Sequence, residues 1–264
     1  MLEDFCHEFL DWYRYGPEPD LDMKWLKNGP VLRYFGPGGE RHHYSLRINE
    51  PCDDLVLLEQ LVDAENKIAK SFGRKFEWKV YSFPKVPGLA ALLEYKGLKC
   101  TRRTRMLFLP VDQPLSGVAP SAEVMVEKVT TRWQIEALAS VLADVWNDTT
   151  PSFAAALWAE ISGRAPLTEA WLASVDGQVV SCCWIKYYGR IGFLFGGATR
   201  AAFRGKGAYR ALVQVRQAAA QNRGVKYLVS ECSPDSEKVL RGLGFLDAGE
   251  SYLYEYEFES IQPV

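Results

Sequence analysis

Phe203-Arg204-Gly205-Lys206-Gly207-Ala208-Tyr209 stands between an apolar run, Ile191 to Ala198, and a helix-forming run, Ala208 to Asn222. Strand, glycine loop and helix in that order leave several backbone N–H groups pointing one way, at the positive end of a helix dipole. Gly205 and Gly207 carry no side chain, so a ligand can approach the main chain there. Arg204 and Lys206 add full positive charge. The stretch predicts a cradle for a diphosphate. Its spacing is not that of a dinucleotide loop, because Gly205-Lys206-Gly207 is followed by Ala208, Tyr209 and Arg210 and GxGxxG is absent.

Outward from this loop the second half reads as an α/β domain. A strand (124–128), two helices (133–146, 153–162) and three strands (169–175, 178–188, 190–198) precede the loop and its helix. A strand (225–230), a short helix (234–241) and a long last strand follow. Asp176-Gly177 and Tyr188-Gly189-Arg190 are hairpin signals. A three-stranded meander feeding a strand–helix–strand unit predicts a mixed sheet with helices on its faces. On the helix after the loop, Ala211, Val215, Ala218 and Ala219 share a face suited to pack on that sheet.

The segment Val111 to Ala122, with two prolines, a glycine and two serines, reads as an interdomain linker. The predicted domains are residues 1–112 and 122–264, joined by 113–121. The first half opens with an amphipathic helix (2–15). A strand around 31–35, a Gly36–Gly39 turn, a strand (42–48) and a helix (55–72) follow. Its last elements, strand (76–83), short helix (87–95), Lys96-Gly97-Leu98 and strand to Leu109, repeat the order that ends the second half. Leu92-Leu93-Glu94-Tyr95-Lys96-Gly97-Leu98 aligns without a gap on Val239-Leu240-Arg241-Gly242-Leu243-Gly244-Phe245. This shared order predicts an internal repeat.

The chain has 264 residues, about half of them apolar, and a formal charge of −2. It contains no basic block longer than Arg102-Arg103, so nucleic-acid binding is not expected. The acidic N-terminus (Glu3, Asp4, Glu8, Asp11) does not read as a signal peptide, and no apolar run has the length of a membrane span. Six cysteines without CxxC spacing fit a reduced, cytoplasmic chain. The three histidines, His7, His42 and His43, all lie in the first half. That argues against a Ser-His-Asp triad or a metal site beside the glycine loop.

The second half resembles the GNAT superfamily of acetyl-CoA-dependent N-acetyltransferases. Its signature loop, R/Q-x-x-G-x-G/A, stands here as Arg204-Gly205-Lys206-Gly207-Ala208-Tyr209, with Tyr209 where a small residue is usual. A second signature run, Ser-x-x-Val-Leu-x-x-Leu-Gly-Phe, is present as Ser236 to Phe245. The resemblance covers residues 122–258. The first half looks like a degenerate copy, as in tandem members of the superfamily. Its corresponding loop, Asn49-Glu50-Pro51-Cys52-Asp53-Asp54, has no glycine and three carboxylates. The acids suit the N-terminus of the following helix and imply that this half does not bind acetyl-CoA.

The resemblance implies acetyl-CoA in a split between two parallel strands. The diphosphate would rest on Arg204, Gly205, Lys206, Gly207, Ala208 and Tyr209, and the pantetheine arm along Gly197, Ala198 and Thr199. Gly196-Gly197 fits a strand bulge there. The family's usual thiolate acid is a tyrosine four residues before the Gly-Phe pair, and Leu240 occupies that position. Ser236 and Ser233 are the nearest hydroxyls, both readable as helix N-cap residues. Glu231 is the candidate base, with Glu160 and Asp148 behind it. Cys232 has no histidine near it in sequence to serve it as a nucleophile. Trp146, Phe153, Trp158, Trp184, Tyr187 and Tyr188 either line an acceptor cleft or pack as core.

The acceptor implied is a small-molecule or peptide amine, and a homodimer stays open. A non-catalytic acyl-CoA-binding protein is the competing expectation, and Leu240 is its best support. An aminoacyl-tRNA donor, as in some tandem relatives, is opposed by the near-neutral charge.

Overall fold

A computed structural model of the chain describes residues 1–15, 24–35, 44–50, 52–72, 75–83, 86–117, 123–146, 151–163 and 166–256. In chain order the elements are α1 (Leu2–Tyr15), β1 (Lys24–Asn28), β2 (Val31–Phe35), β3 (Tyr44–Ile48), α2 (Leu55–Ser71), β4 (Phe76–Tyr81), α3 (Leu89–Tyr95) and β5 (Lys99–Pro110). They continue with β6 (Met125–Lys128), α4 (Arg132–Trp146), α5 (Pro151–Ser162), β7 (Thr168–Val175), β8 (Gln178–Tyr188) and β9 (Ile191–Thr199). Last come α6 (Ala208–Asn222), β10 (Tyr227–Cys232), α7 (Pro234–Gly242) and β11 (Leu246–Tyr256). His42, His43, the Gly36–Gly39 turn, Pro51, Asp148 and residues 118–122 lie outside the described residues.

Two compact units form. Residues 107–247 make one, and residues 1–106 with those from 248 onward make the other. The chain changes unit inside β5 and again inside β11. This division differs from the expected 1–112 and 122–264. β11 pairs antiparallel with β4, from Ser251↔Tyr81 to Tyr256↔Phe76. The buried Tyr254, with Tyr252 and Tyr256 packed beside it, joins the core of Trp78, Phe76, Leu46 and Leu58. Burial of those rings draws the last strand into the first unit. The described part of the expected linker is not free chain either. Ser116 N–H donates to the Leu243 carbonyl at 3.0 Å, and the Gln217 amide donates to the Gln113 carbonyl at 2.6 Å.

In the first unit β3 and β4 are parallel, joined through α2. The carboxylate of Asp54 accepts the N–H groups of Val56 (2.9 Å) and Leu57 (3.1 Å), so the N-terminus of α2 is capped by its own chain.

In the second unit β6, β7, β8 and β9 form an antiparallel run, and β9 pairs parallel with β10. Asp176 and Gly177 both have positive φ (52° and 75°), as a two-residue hairpin turn with right-handed twist requires. One face of the sheet packs on α6 through Ile185, Leu194, Leu212 and Leu228. The other packs on α4 and α5 through Leu138, Leu157, Leu172 and Cys182.

The face of α6 is rotated from the expected one. Ala208, Ala211, Leu212, Val213, Arg216, Gln217 and Ala220 are buried, whereas Ala218 is exposed and Val215 and Ala219 lie at the margin. Two polar residues can enter the buried face because backbone carbonyls accept from them. Arg216 Nε donates to Leu212, and the Gln217 amide donates to Val111 and Gln113.

Glu169 on β7 ties the base of this unit together. It accepts from Lys128 Nζ (2.8 Å), Tyr187 Oη (2.8 Å) and Arg223 Nη2 (3.0 Å). Burial pushes its carboxyl up, but these three donors outweigh that and hold it below the usual range. A carboxyl lowered by folding adds stability above its unfolded pKa of about 4.3, and that stability is lost as pH falls through the lower folded value. Glu169→Gln should therefore lower the melting temperature at neutral pH and flatten its decline between about pH 5 and pH 3. Thermal melts across that range check this; an equally steep decline in the variant would assign the acid sensitivity elsewhere.

Candidate active site at a strand split and glycine loop

The ladder between β9 and β10 has three pairs, Tyr227↔Ile191, Leu228↔Gly192 and Val229↔Phe193. Both strands run on, β9 to Thr199 and β10 to Cys232, while β9 stays paired with β8 as far as Ser181↔Thr199. The two parallel strands thus part after Phe193 and Val229, and the β9 backbone beyond that point turns one edge into the gap.

A bulge sits in that free stretch. Cys182 pairs with Ala198 and Trp184 with Phe195, so Gly196 and Gly197 together oppose the single residue Cys183. Gly196 has φ +60°, and a Cβ there would fall 1.7 Å from Cζ3 of Trp184. A Cβ on Gly197 would lie 2.4 Å from Cε2 of Tyr209. The two glycines let the strand lie directly on one aromatic ring on each face. Tyr209, large where the resemblance implies a small residue, is accommodated by the missing side chain of Gly197.

The loop follows at once. A 3-10 turn, Ala201–Phe203, leads to Arg204 in extended conformation, and Gly205 (φ +80°) and Gly207 (φ +89°) take left-handed backbone. A Cβ on Gly205 would meet nothing within 4 Å. Gly207 is the N-cap of α6 and gives it no side-chain cap. The first helical bond runs from Ala211 N–H to the Gly207 carbonyl at 2.9 Å. The N–H groups of Ala208, Tyr209 and Arg210 precede it and have no helical acceptor. Arg204 and Lys206 are exposed beside them; Arg204 Nε donates to the Thr199 carbonyl at 3.3 Å, and Lys206 Nζ lies 5.2 Å from the Phe203 ring. The predicted residues 197–199 and 204–209 are therefore brought together as strand edge and helix N-terminus.

Residues 134–245 match the family model described as "Acetyltransferase (GNAT) family". They form a GNAT acetyltransferase domain. No curated protein matches the sequence. Among solved structures, the chain is similar to a GCN5-related N-acetyltransferase from Kribbella flavida, with TM-score 0.74 at 16% identity over 99% of this chain and 97% of that one. It is similar to a GCN5-related N-acetyltransferase from Sphaerobacter thermophilus, with TM-score 0.66 at 16% identity over 95% and 84%. It is also similar to a tandem GNAT protein from the clavulanic acid biosynthesis pathway, with TM-score 0.62 at 13% identity over 97% and 95%. At these identities the likeness is one of fold, and it extends over the residues on both sides of the GNAT domain.

Within the GNAT domain the candidate acids and bases separate by environment. Glu231 lies on β10 two residues beyond the last ladder pair and is half-buried, next to the buried Cys232. Ser233 is the N-cap of α7 and accepts from Ser236 N–H at 3.5 Å; the two hydroxyls are 3.4 Å apart. Ser236 thus stands in the first turn of α7, engaged with a capping residue. Leu240 is fully buried in the core with Val213 and Phe245 and offers no proton to a leaving thiolate. Glu160 is held by Lys186 Nζ (2.7 Å) and Thr168 Oγ1 (3.0 Å).

The aromatic set divides as well. Tyr187 belongs to the Glu169 network, with the Arg223 guanidinium 4.4 Å from its ring. Trp146 is exposed on α4, and Trp158 packs against the core below α4. Phe153, Trp184, Phe195, Phe193 and Tyr188 form a continuous row with ring separations of 5.6, 6.2, 6.4 and 5.7 Å. Phe195, just beyond the point where the strands part, is 39% exposed. In the sequence it stands inside the apolar run Ile191 to Ala198. The signal available was the alternation Phe193, Phe195, which puts both rings on one face.

Proposed function

We propose that the chain is an acetyl-CoA-dependent N-acetyltransferase that moves the acetyl group directly to an amine, small-molecule or peptide. One arrangement carries the reading. An uncapped, glycine-lined helix N-terminus stands one loop away from the open backbone edge left where β9 parts from β10. The N–H groups of Ala208, Tyr209 and Arg210, with Arg204 and Lys206, would take the diphosphate. Gly197, Ala198 and Thr199 would pair with the amide groups of the pantetheine arm. The GNAT family model over residues 134–245 supports the same donor.

Transfer needs a deprotonated amine, a polarised thioester carbonyl and a departing thiolate. Glu231, two residues beyond the last β9–β10 pair, would take the amine's proton, directly or through water. The exposed face of Phe195 would form one wall for the acceptor. Ser236 is the nearest hydroxyl candidate at the thiolate. In the first unit Asp54 already occupies the corresponding N–H groups of α2, which fits a degenerate copy without a coenzyme site. Six free thiols fit a reducing compartment such as the cytoplasm, and no described helix is long and apolar enough to cross a membrane.

Calorimetric titration with coenzyme A, run alongside acetylation of an amine library, tests the reading. Binding with turnover supports it. Tight binding with no turnover on any amine favours the non-catalytic acyl-CoA-binding alternative, and no binding ends both. Glu231→Gln should lower kcat by roughly 10²-fold or more while changing coenzyme A affinity little; unchanged kcat would remove Glu231 as the base.

A further inference from the structure

Arg216 is the most buried charged side chain of the second unit among the described residues, at 1% exposure. It lies on α6 two turns beyond Tyr209, on the same face. Its Nε donates to the Leu212 carbonyl (3.0 Å) and its Nη1 to the Trp184 carbonyl (3.5 Å). Nη2 is buried and makes no hydrogen bond of normal geometry, and the neutral Tyr209 hydroxyl is the side-chain group that interacts with the guanidinium. The guanidinium carbon lies 6.0 Å from the Tyr209 ring. No carboxylate of the described residues meets it. The titratable groups seen to feel its charge include Cys182, Cys183, Tyr187 and Tyr209, and burial pushes each of them up, towards its neutral form. A guanidinium cannot shed its charge, and an unpaired buried charge is strongly unfavourable. Among the described residues its surroundings hold no resident anion.

Its position shows where an anion could come from. Tyr209 lies directly against Gly197, and it neighbours Cys183, which opposes the bulge from β8, and Cys232 at the end of β10 beside the gap. The carbonyl that Arg216 reaches belongs to Trp184, which pairs with Phe195, the residue before the bulge. The charge therefore stands behind the floor of the strand split, on the α6 side. A pantetheine arm paired along Gly197, Ala198 and Thr199 would bring its thioester to the bulge in that floor.

We propose that Arg216 is a buried countercharge for the thiolate of coenzyme A as it departs over the Gly196–Gly197 bulge. The inference rests on the proposed acetyltransferase reading. The amine lone pair forms the C–N bond to the acyl carbon. The C–S bond breaks with its electron pair on sulfur, and the amine's proton passes to a carboxylate or water. Sulfur then needs no proton from position 240, because a fixed positive charge in a low-dielectric layer stabilises it as the anion.

The test uses coenzyme A itself and needs no acceptor. The ultraviolet absorbance of the thiolate is titrated against pH in the complex with wild-type protein. The complex with desulfo-coenzyme A is subtracted, so that the protein's own thiols and phenols cancel. The bound thiol should titrate at least about one pKa unit below the roughly 8.5 of a free thiol. Arg216→Met should return it to the free value or above, and Arg216→Lys should keep most of the lowering. Desulfo-coenzyme A should bind Arg216→Met within about threefold of wild type, which a general disruption of the fold would not allow. A bound thiol that is unshifted in wild type, or shifted equally in Arg216→Met, overturns the proposal. Should Arg216→Met not fold, the wild-type titration and Arg216→Lys decide it alone. Failure of coenzyme A to bind wild type overturns the acetyltransferase reading instead.

Discussion

Gly207→Glu should abolish measurable coenzyme A binding and leave the chain folded. Gly207 takes φ +89° at the N-cap of α6, and its lack of a side chain leaves the first N–H groups of the helix uncapped. Any L-residue there carries a left-handed backbone penalty of about 1–2 kcal/mol, equivalent to a fall in melting temperature of roughly 2–8 °C. The larger effect is electrostatic. A carboxylate about 4 Å from one phosphate charge, at the effective dielectric of a protein surface, opposes binding by about 4 kcal/mol. That is about a thousandfold in Kd. The first unit shows the same chemistry already in place, where Asp54 accepts the N–H groups of Val56 and Leu57. Calorimetric titration paired with a thermal melt separates the two effects. Undiminished affinity in a folded variant would move the diphosphate site away from this loop.

What could be read in advance was what glycine encodes. The hairpin at Asp176-Gly177, the bulge at Gly196-Gly197 and the loop at Gly205-Lys206-Gly207 are local backbone demands that few other residues meet. Each therefore marks its own place in the chain. Partnership across the chain is not marked in this way. The alternating tyrosines of β11 declare a half-buried strand, but they fit any apolar sheet face of the right width, and their destination on β4 depends on which core lacks rings. The burial of Arg216 and Gln217 was hidden because hydropathy assigns both to solvent, whereas backbone carbonyls of α6 and β8, and of Val111 and Gln113 at the end of β5, accept from them. Arg210 was hidden likewise, since its guanidinium binds the carbonyls of Leu115 and Ser116 rather than joining the loop. Phe195 shows the converse: an apolar run predicts burial for every member, and the parting of β9 from β10 exposes one.

Gly196→Ala should be the most destabilising single methyl in the second unit. The built Cβ lies 1.7, 2.1 and 2.4 Å from three ring carbons of Trp184. The ring has little room to yield, being 7% exposed, stacked on Phe195 at 6.2 Å and set against Phe153 at 5.6 Å. The left-handed backbone adds about 1–2 kcal/mol to an overpacking cost of about 1–3 kcal/mol. The sum of about 2–5 kcal/mol predicts a melting temperature lower by roughly 4–20 °C. Gly197→Ala differs in kind, because its backbone is outside the left-handed region and the three atoms nearest its Cβ all belong to Tyr209, with Cε2 at 2.4 Å. Removing that ring in Gly197→Ala/Tyr209→Ala should recover most of the loss, with a coupling of about 1–3 kcal/mol between the two positions. No partner substitution relieves Gly196→Ala in full, since its backbone term stays. If Gly196→Ala melts with wild type, or if the Gly197 and Tyr209 changes simply add, the strand does not rest on these two rings. The bulge would then be a passive irregularity, and the open edge of β9 would need another cause.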